Sequence, residues 1–480
     1  MSLDDARGAE QELVPDSVTA RAPRIDVITI FPDYVKPLEL SLIGKARTSG
    51  LVDIRVHDLR EFATDRHRTV DDAPFGGGAG IVLRPDVWAR AIDATATHQH
   101  DDGERDTREM LVLVPTPSGA QLTQERAAEL AAMLSQGDVR AVVACGRYEG
   151  IDARLVDHLN DSSDVREVSE FSLGDYVLNG GDVAAIALLE SVVRLLPGVL
   201  GNPESIVEES FQGDGLLEYP VFTRPAQWEE RAVPAVLTSG DHQAVARWRR
   251  EQSLRRTARR RPELLAPLAT GLTRDDASVL RSEGVVAGAF GHLAGPFTVR
   301  IADLGDVADL AEVAAATFIL ACPDETTLGD IRAHIATQLN PQVFSDYIQE
   351  PGRDLLVVID GVSGGIVGYS MLIWNPAAQS DAGDLASGAA RSAVELSKCY
   401  VLARVQGSGA ARELMAATLE HARSGGADQV WLGVNAQNDR ALAFYARSGF
   451  ERAGQRSYRV GAVDHSDYVM RFGLTKSVAE

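Results

Sequence analysis

Cysteine is scarce in this sequence of 480 residues: Cys145, Cys322 and Cys399 stand far apart and show no CxxC spacing. That excludes a disulfide framework and a cysteine-built zinc site, and it suits a reducing cytoplasm where the three serve as small buried hydrophobes. Long apolar runs are missing as well. The most apolar stretch, Val183 to Leu200, is broken by Glu190, Arg194 and Pro197, so it cannot span a bilayer that needs about 20 apolar residues and reads as a buried helix. Residues 1–23 contain Asp4, Asp5, Glu10, Glu12 and Asp16 but no apolar core of a signal peptide, and a disordered acidic tail is expected there. Positive charge is in short supply too. Lys and Arg total 47 against 69 Asp and Glu, a net charge of −22, which as a bulk property argues against a nucleic-acid or anionic-membrane partner.

What is present suggests several domains. At about 100–200 residues per domain, the length predicts two to four. From Arg24 onward β-rich runs (Ile25–Phe31, Val52–His57, Met110–Val114, Val139–Cys145) alternate with helical patterns, the signature of an α/β layer with a parallel sheet. Between the last two runs, Leu122, Leu130, Ala131 and Leu134 recur near helical spacing, with Thr123 as N-cap. The polar stretch 95–109 reads as a surface loop. The expected division is a tail (1–23), an α/β domain (24–203), a connection (204–218), a small helical domain (219–268), a linker (269–295) ending near the breaker Gly295-Pro296, and a second α/β domain (296–480). In that last block the pattern predicts helices at Val307–Leu320, Leu328–Ile348, Ala410–Arg423 and Asp439–Ser448, and strands at Leu355–Ile359, Ile366–Ile373, Val394–Leu402 and Gln429–Val434.

Glycine-rich strings follow the predicted strands of the first block: Gly76-Gly77-Gly78, Pro115-Thr116-Pro117-Ser118-Gly119, Cys145-Gly146-Arg147-Tyr148-Glu149-Gly150 and Ser172-Leu173-Gly174-Asp175-Tyr176-Val177-Leu178-Asn179-Gly180-Gly181-Asp182. Ligands of open α/β sheets collect beyond the carboxyl ends of strands, where small residues let backbone approach closely. No Walker A loop and no strand-GxGxxG-helix order is present. Together the strings call for a ligand recognised by backbone amides and carbonyls.

The strings DRHRTVDD, GGGAG, CGRYEGID, GDYVLNGGD, LLPGVLGNPES, YPVFTRP and RRPELL, in that region between about Arg24 and Leu265, resemble the bacterial tRNA (guanine-N1)-methyltransferases that modify guanosine 37, 3′ of the anticodon. The resemblance implies a SPOUT-class α/β fold with a deep trefoil knot, a homodimer, and S-adenosylmethionine bound in the knot. It carries cofactor contacts onto Pro115, Thr116, Pro117, Gly146, Tyr148, Glu149, Gly150, Ser172, Leu173, Gly174, Tyr176, Leu178, Gly180 and Gly181. Asp71 and Glu149 match residues near the bound guanosine, while Asp72 also suits a turn cap. Magnesium assists the family's reaction, but no ligand set is legible. Methylating guanine N1 requires a base for its proton and a cation for the charge developing on O6. Arg194 aligns with the family's catalytic arginine. At the base position the family's aspartate is replaced by Glu209, before Ser210-Phe211; Glu208 is the alternative.

A local exception to the acidity supports an RNA partner, the anticodon stem-loop of tRNA. Arg247, Arg249, Arg250, Arg255, Arg256, Arg259, Arg260 and Arg261 lie in one helical segment with a single acid, Glu251. Clustered arginines neutralise phosphates and release counterions. Residues 24–295 are nevertheless acidic as a whole, with 30 basic residues against 42 acidic ones, so contact should concentrate on this segment.

The second block carries a different loop. The β-rich run Val394–Leu402 leads into Ala403-Arg404-Val405-Gln406-Gly407-Ser408-Gly409-Ala410-Ala411 and then a helix, an arrangement that offers free N–H groups to a phosphate. With Asn435-Ala436-Gln437-Asn438-Asp439-Arg440-Ala441-Leu442-Ala443-Phe444-Tyr445 and Ser448-Gly449-Phe450 downstream, it resembles the GNAT N-acetyltransferases over about Pro296 to Leu474. The resemblance implies acetyl-CoA contacts at Val401, Gln406, Gly407, Ser408, Gly409, Ala410, Ala411 and Asn438. Tyr445 would act as acid toward the leaving thiolate, and Glu395 would relay a proton from an amine of unknown identity. The alternative is a non-catalytic acyl-CoA-binding or regulatory module.

Overall fold

The computed structural model describes residues 21–97, 106–201, 208–319, 327–374, 393–460 and 463–474. The chain separates into two compact units, Met1–Val207 and Glu208–Glu480.

The first unit is built on five parallel strands: β1 (Arg24–Thr29), β2 (Asp53–Asp58), β3 (Glu109–Gln121), β4 (Val139–Ala144) and β5 (Val165–Ser172), in the spatial order β2-β1-β4-β3-β5. The central strands β1 and β4 are buried at every position, as expected of parallel strands covered on both faces. Helices α1 (Ser41–Thr48), α2 (Pro85–Thr97), α3 (Gln124–Gln136), α4 (Arg154–Asn160) and α5 (Asp182–Val193) connect them. Ile25, Val27 and the α3 and α5 side chains fill one core; Ile28, Ile30 and the wholly buried Trp88 of α2 fill the other. The expected N-cap is present, since Thr123 accepts from the backbone N–H of Arg126. The fifth strand was not expected from the sequence: Val165–Ser172 (VREVSEFS) is half polar and lies at a sheet edge.

At the carboxyl edge β3 buckles. Pro115 and Ala120 both pair with Phe171, so residues 116–119 are extruded as a loop. Gly119 lies against the Phe171 backbone with no room for a Cβ. The 95–109 stretch departs from its surface-loop expectation at its described ends. Thr95 and Asp106 are buried, and Asp106 accepts from Arg24 and Arg108. Residues 98–105 lie outside the described residues, as do the acidic tail up to residue 20, residues 202–207, where the expected connection begins, and Cys322.

The first long helix of the second unit is the arginine-bearing α6 (His242–Arg260), capped by Asp241, followed by α7 (Arg274–Ser282) and a short hairpin, β6 (Val286–Ala287) with β7 (Leu293–Ala294). The stretch expected as a linker, 269–295, is therefore built structure with buried Leu280, Val285 and Leu293. A seven-stranded sheet follows: β8 (Phe297–Ile301), β9 (Arg353–Asp360), β10 (Ile366–Trp374), β11 (Ala393–Val401), β12 (Gln429–Asn435), β13 (Glu451–Val460) and β14 (Val463–Gly473), ordered β8-β9-β10-β11-β12-β14-β13. Every pairing is antiparallel except β11 with β12. Helices α8 (Val307–Phe318), α9 (Leu328–Gln338) and α10 (Pro341–Gln349) pack on one face, and α11 (Ala410–Ser424) on the other; α12 (Asp439–Arg447) follows β12. The single helix expected over 328–348 is two, because Asn340 caps a new helix and Pro341 occupies its first turn.

Candidate active sites

A cavity of about 560 Å³ opens at the carboxyl ends of β3, β4 and β5. Its walls include Pro115, Thr116, Pro117, Gly146, Tyr148, Glu149, Gly150, Ser172, Leu173, Tyr176, Leu178, Gly180 and Gly181. These are the residues expected to contact S-adenosylmethionine, with the exception of Gly174, which shapes the loop beside Tyr176 through φ of 151°. The volume is in the range of small-molecule sites. Gly181 shows why side chains are missing here. A Cβ on it would sit 3.1 Å from Cys145 Cα and 3.1 Å from Pro115 Cγ, and its N–H donates to the Gly146 carbonyl at 2.7 Å. The lining, glycines and a few hydroxyls with the carboxylates of Glu149, Asp157 and Glu170, fits a nucleoside cofactor that carries positive charge. The Cys145 thiol beneath it is pushed well up by burial and by the Asp182 carboxylate.

Arg147 also lines this cavity, although its role was not read from the sequence. Its Nε donates to Asp182 Oδ2 at 2.5 Å, its guanidinium lies 4.8 Å from the Phe31 ring and 4.9 Å from the Tyr34 ring, and its backbone bridges to Gly180. Asp182, wholly buried at the start of α5, also accepts from the Thr29 hydroxyl. The ion pair, with the Arg147–Gly180 bridge, ties the loop after β4 to the start of α5. No periodicity signals it, because the partners are 35 positions apart.

The neighbouring segment holds Asp71. Asp71–Asp72 pairs with Val82–Leu83, and Leu83 in turn bridges to Ile151. This brings the Asp71 strand and the Glu149 loop together, with Glu149 packed so closely on Gly80 that a Cβ there would collide. Arg194 is half-buried at the C-cap of α5, a position that also favours a cation electrostatically. In the second unit, Glu209 is half-buried in a turn whose Gln212 N–H donates to the Glu209 carbonyl. Glu208 is exposed and engaged, 3.0 Å from Arg249 and accepting from the Tyr219 hydroxyl. Tyr219 is pushed up to about 12 by burial and by this hydrogen bond.

Much of the arginine cluster is structural. Arg249 pairs with Glu208, Arg250 with Asp214 and Asp276, Arg255 with Glu251 and Glu283, Arg259 with Glu283, and Arg261 with Glu263. Among the described residues Arg247, Arg256 and Arg260 form no ion pair. Arg256 and Arg260, one turn apart on α6, share a face.

In the GNAT-like sheet, β11 and β12 pair over only three residues, Ala393↔Gln429 to Glu395↔Trp431, then run on without pairing to each other. Val401 ends β11, and the turn of Ala403–Val405, Gln406, Gly407 and Ser408 feeds α11 through Gly409 at φ of 103°, with Ala410 buried and Ala411 half-buried in the first turn. Asn438 uses its side-chain oxygen to cap α12, accepting from the Ala441 N–H at 3.0 Å. Tyr445 is pushed up by burial and by the nearby Cys399 and Tyr400, which keeps its phenol protonated. Cys399 itself is pushed up to about 12 by burial. Glu395 stands half-buried at the last paired position.

The sheets and glycine loops make two α/β domains, the first with a cavity at the carboxyl ends of its strands. Residues 23–267 match the model of the tRNA (guanine-1)-methyltransferase TrmD family, and the chain belongs to that family. Residues 323–450 match the acetyltransferase (GNAT) family, so the C-terminal domain is a GNAT domain. Similar proteins include the tRNA (guanine-N(1)-)-methyltransferase of Arthrobacter sp. (strain FB24), 54% identical over 56% of this chain and 95% of its own length. That of Renibacterium salmoninarum is 55% identical over 54% of this chain and 94% of its own length. Among the described residues no helix is long and apolar enough to cross a membrane, and no group of three or more His, Cys, Asp or Glu is poised to hold a metal.

Proposed function

We propose that this chain transfers a methyl group from S-adenosylmethionine to N1 of guanosine 37 in tRNA, and that its GNAT domain acetylates an amine. The observation that carries the first reading is the cavity lined by backbone from three glycine-rich loops in a chain of this family. S-adenosylmethionine bound there supplies an electrophilic methyl group. The protein's part is to hold the cofactor through Pro115 to Pro117, Gly146 to Gly150, Ser172 to Leu178 and Gly180-Gly181, to take the N1 proton on Glu209, and to hold the charge on O6 with Arg194. Glu208 suits an anchoring role, since Arg249 and Tyr219 occupy it. A trefoil knot that holds the cofactor follows the family. A homodimer, magnesium assistance and a cytoplasmic location follow the family and complete the reading. RNA contact is assigned to Arg256 and Arg260 ahead of the paired arginines.

For the GNAT domain, acetyl-CoA supplies an acetyl thioester. Glu395 accepts the proton from the amine, and the protonated Tyr445 donates one to the departing sulfur. The presence of both groups beside the unpaired stretch of β11 and β12 supports a catalytic domain over a purely binding one.

The deciding measurement is transfer of a labelled methyl group to tRNA transcripts carrying guanosine or adenosine at position 37. Guanosine-dependent incorporation is expected, and no incorporation into either transcript overturns the reading. Glu209→Gln should lower the rate by about 10²–10⁴-fold, whereas Glu208→Gln should leave most of it.

A further inference from the structure

The face of the GNAT sheet that carries Glu395 also carries a lysine that regular strand geometry would put on the other side. Residues directly opposite in a sheet share a face, and side chains alternate along a strand. Across β10 and β11, Ile373 faces Glu395, Leu372 faces Leu396, and then Met371 faces Lys398: Ser397 is an extra residue in a β-bulge. Three positions from Glu395, Lys398 would otherwise point to the α11 side. The bulge turns it onto the face covered by α8, α9 and α10, in line with Leu355 and Met371, while Tyr369 and Tyr400 form the next row. Bulges commonly re-aim a side chain beside an active site.

The lysine's surroundings are short of counter-charge. Lys398 is half-buried and, among the described residues, makes no hydrogen bond or ion pair. Burial above all, with repulsion from Arg353 in the adjacent Ile373–Glu395 row and against the attraction of Glu395, holds its ammonium below the ordinary range. The Arg353 guanidinium lies 4.5 Å from the Tyr347 ring with Glu350 at 2.7 Å. His334, stacked on Phe318 at 4.3 Å, also feels the Lys398 charge. A sequestered cation without a partner is costly unless a ligand completes it.

We propose that the amine acetylated by this domain carries an anionic group, a carboxylate or a phosphate, which Lys398 and Arg353 hold while the amino group faces Glu395. This rests on the acetyltransferase reading above. In the reaction the amine nitrogen attacks the thioester carbon, the C–N bond forms as the C–S bond breaks, the nitrogen's proton passes to Glu395, and the sulfur takes a proton from Tyr445.

The test compares matched amines with the full chain and acetyl-CoA, following thiol release: O-phosphoethanolamine against ethanolamine, and β-alanine against propylamine. At least a tenfold higher kcat/KM is expected for one anionic member over its neutral partner, and the pair showing it tells phosphate from carboxylate. Lys398→Met should abolish that preference through KM, with acetyl-CoA affinity unchanged; Lys398→Arg should retain it. Lys398→Met should also melt no lower than the parent, because it removes an unpaired cation. Calorimetric titration of the same pairs into the coenzyme A complex separates the two failures. Lys398-dependent binding of an anionic amine without turnover keeps the anion site and overturns the acetyltransferase reading. Equal turnover of neutral and anionic amines, or neither binding nor turnover of any, overturns the anion site.

Discussion

Leu293 and Ala294 are adjacent residues of one two-residue strand, and they are buried in different cores. Leu293 packs with Leu254, Ala258, Leu265 and Leu280 of the arginine-bearing module, together with Val362 from the turn between β9 and β10. Ala294 packs with Val405, Ala410 and Leu414 behind the Gly407–Gly409 loop. The Gly295 N–H donates to Asp360 at 2.5 Å just beyond them, and Gly288 sits too close to the Arg404 carbonyl for a Cβ. The module and the GNAT domain should therefore melt as one cooperative unit. Leu254→Ala, at a wholly buried site, should cost about 2–5 kcal/mol and lower the unfolding midpoint seen by acetyl-CoA protection as well as by global circular dichroism. A GNAT transition that stays in place would refute the coupling.

A second expectation concerns Arg147 and Asp182. Breaking a buried pair by removing one partner leaves the other uncompensated, a loss of about 3–5 kcal/mol. Arg147→Met should lower the thermal midpoint and weaken S-adenosylmethionine binding, measured by calorimetry. Unchanged affinity would mean the pair does not hold the cavity loops.

Acid should weaken the first unit through Asp26 and Asp106. Burial alone would raise the Asp26 carboxyl, but hydrogen bonds from His57 and Arg24 outweigh it and hold the group below its ordinary 3.8. Asp106 is likewise depressed, with Arg108 overcoming burial. The unfolded chain then binds protons more readily than the folded one, so this stabilisation is complete above the ordinary carboxylate range and is lost as the pH falls below about 4. Each such group adds a slope of up to about 1.4 kcal/mol per pH unit there. Denaturant titrations between pH 6 and 3 should show a shallower decline in Asp106→Asn than in the parent; parallel curves would contradict the assignment.

The arginines of α6 should divide by their partners. Arg256→Ala and Arg260→Ala should each weaken tRNA binding and lower the slope of log affinity against log salt by about 0.7–0.9 per lost phosphate contact, with stability unchanged. Arg255→Ala and Arg259→Ala, which leave the nearly buried Glu283 with fewer partners, should chiefly lower stability. Equal salt slopes for both pairs would place the RNA elsewhere.

Local signals explain how much of this was legible. Thr123 was readable as a helix start because an N-cap depends on residues three positions away. The inner strands β1, β3 and β4 were readable because burial on both faces leaves continuous apolar runs, and Val165–Ser172 escaped because its half-polar VREVSEFS offers none. The glycine strings and Gly409 announced close backbone approach, and the resemblance to known families named the cofactors. Composition misled where it averaged: an acidic chain holds a basic helix, and most of that helix's charge turned out to be spent internally.

The sequence by itself determined most of the element types, the order of the two α/β blocks and the positions of the glycine loops, since these rest on interactions within a few positions. Only the tertiary structure decided that Arg147 finds Asp182, that Glu283 consumes Arg255 and Arg259, that Leu293 and Ala294 serve two cores, and that the bulge at Ser397 turns Lys398 toward Glu395. Each depends on which distant segments meet and in what register, and a shift of one residue in a strand sends its side chains to the opposite face.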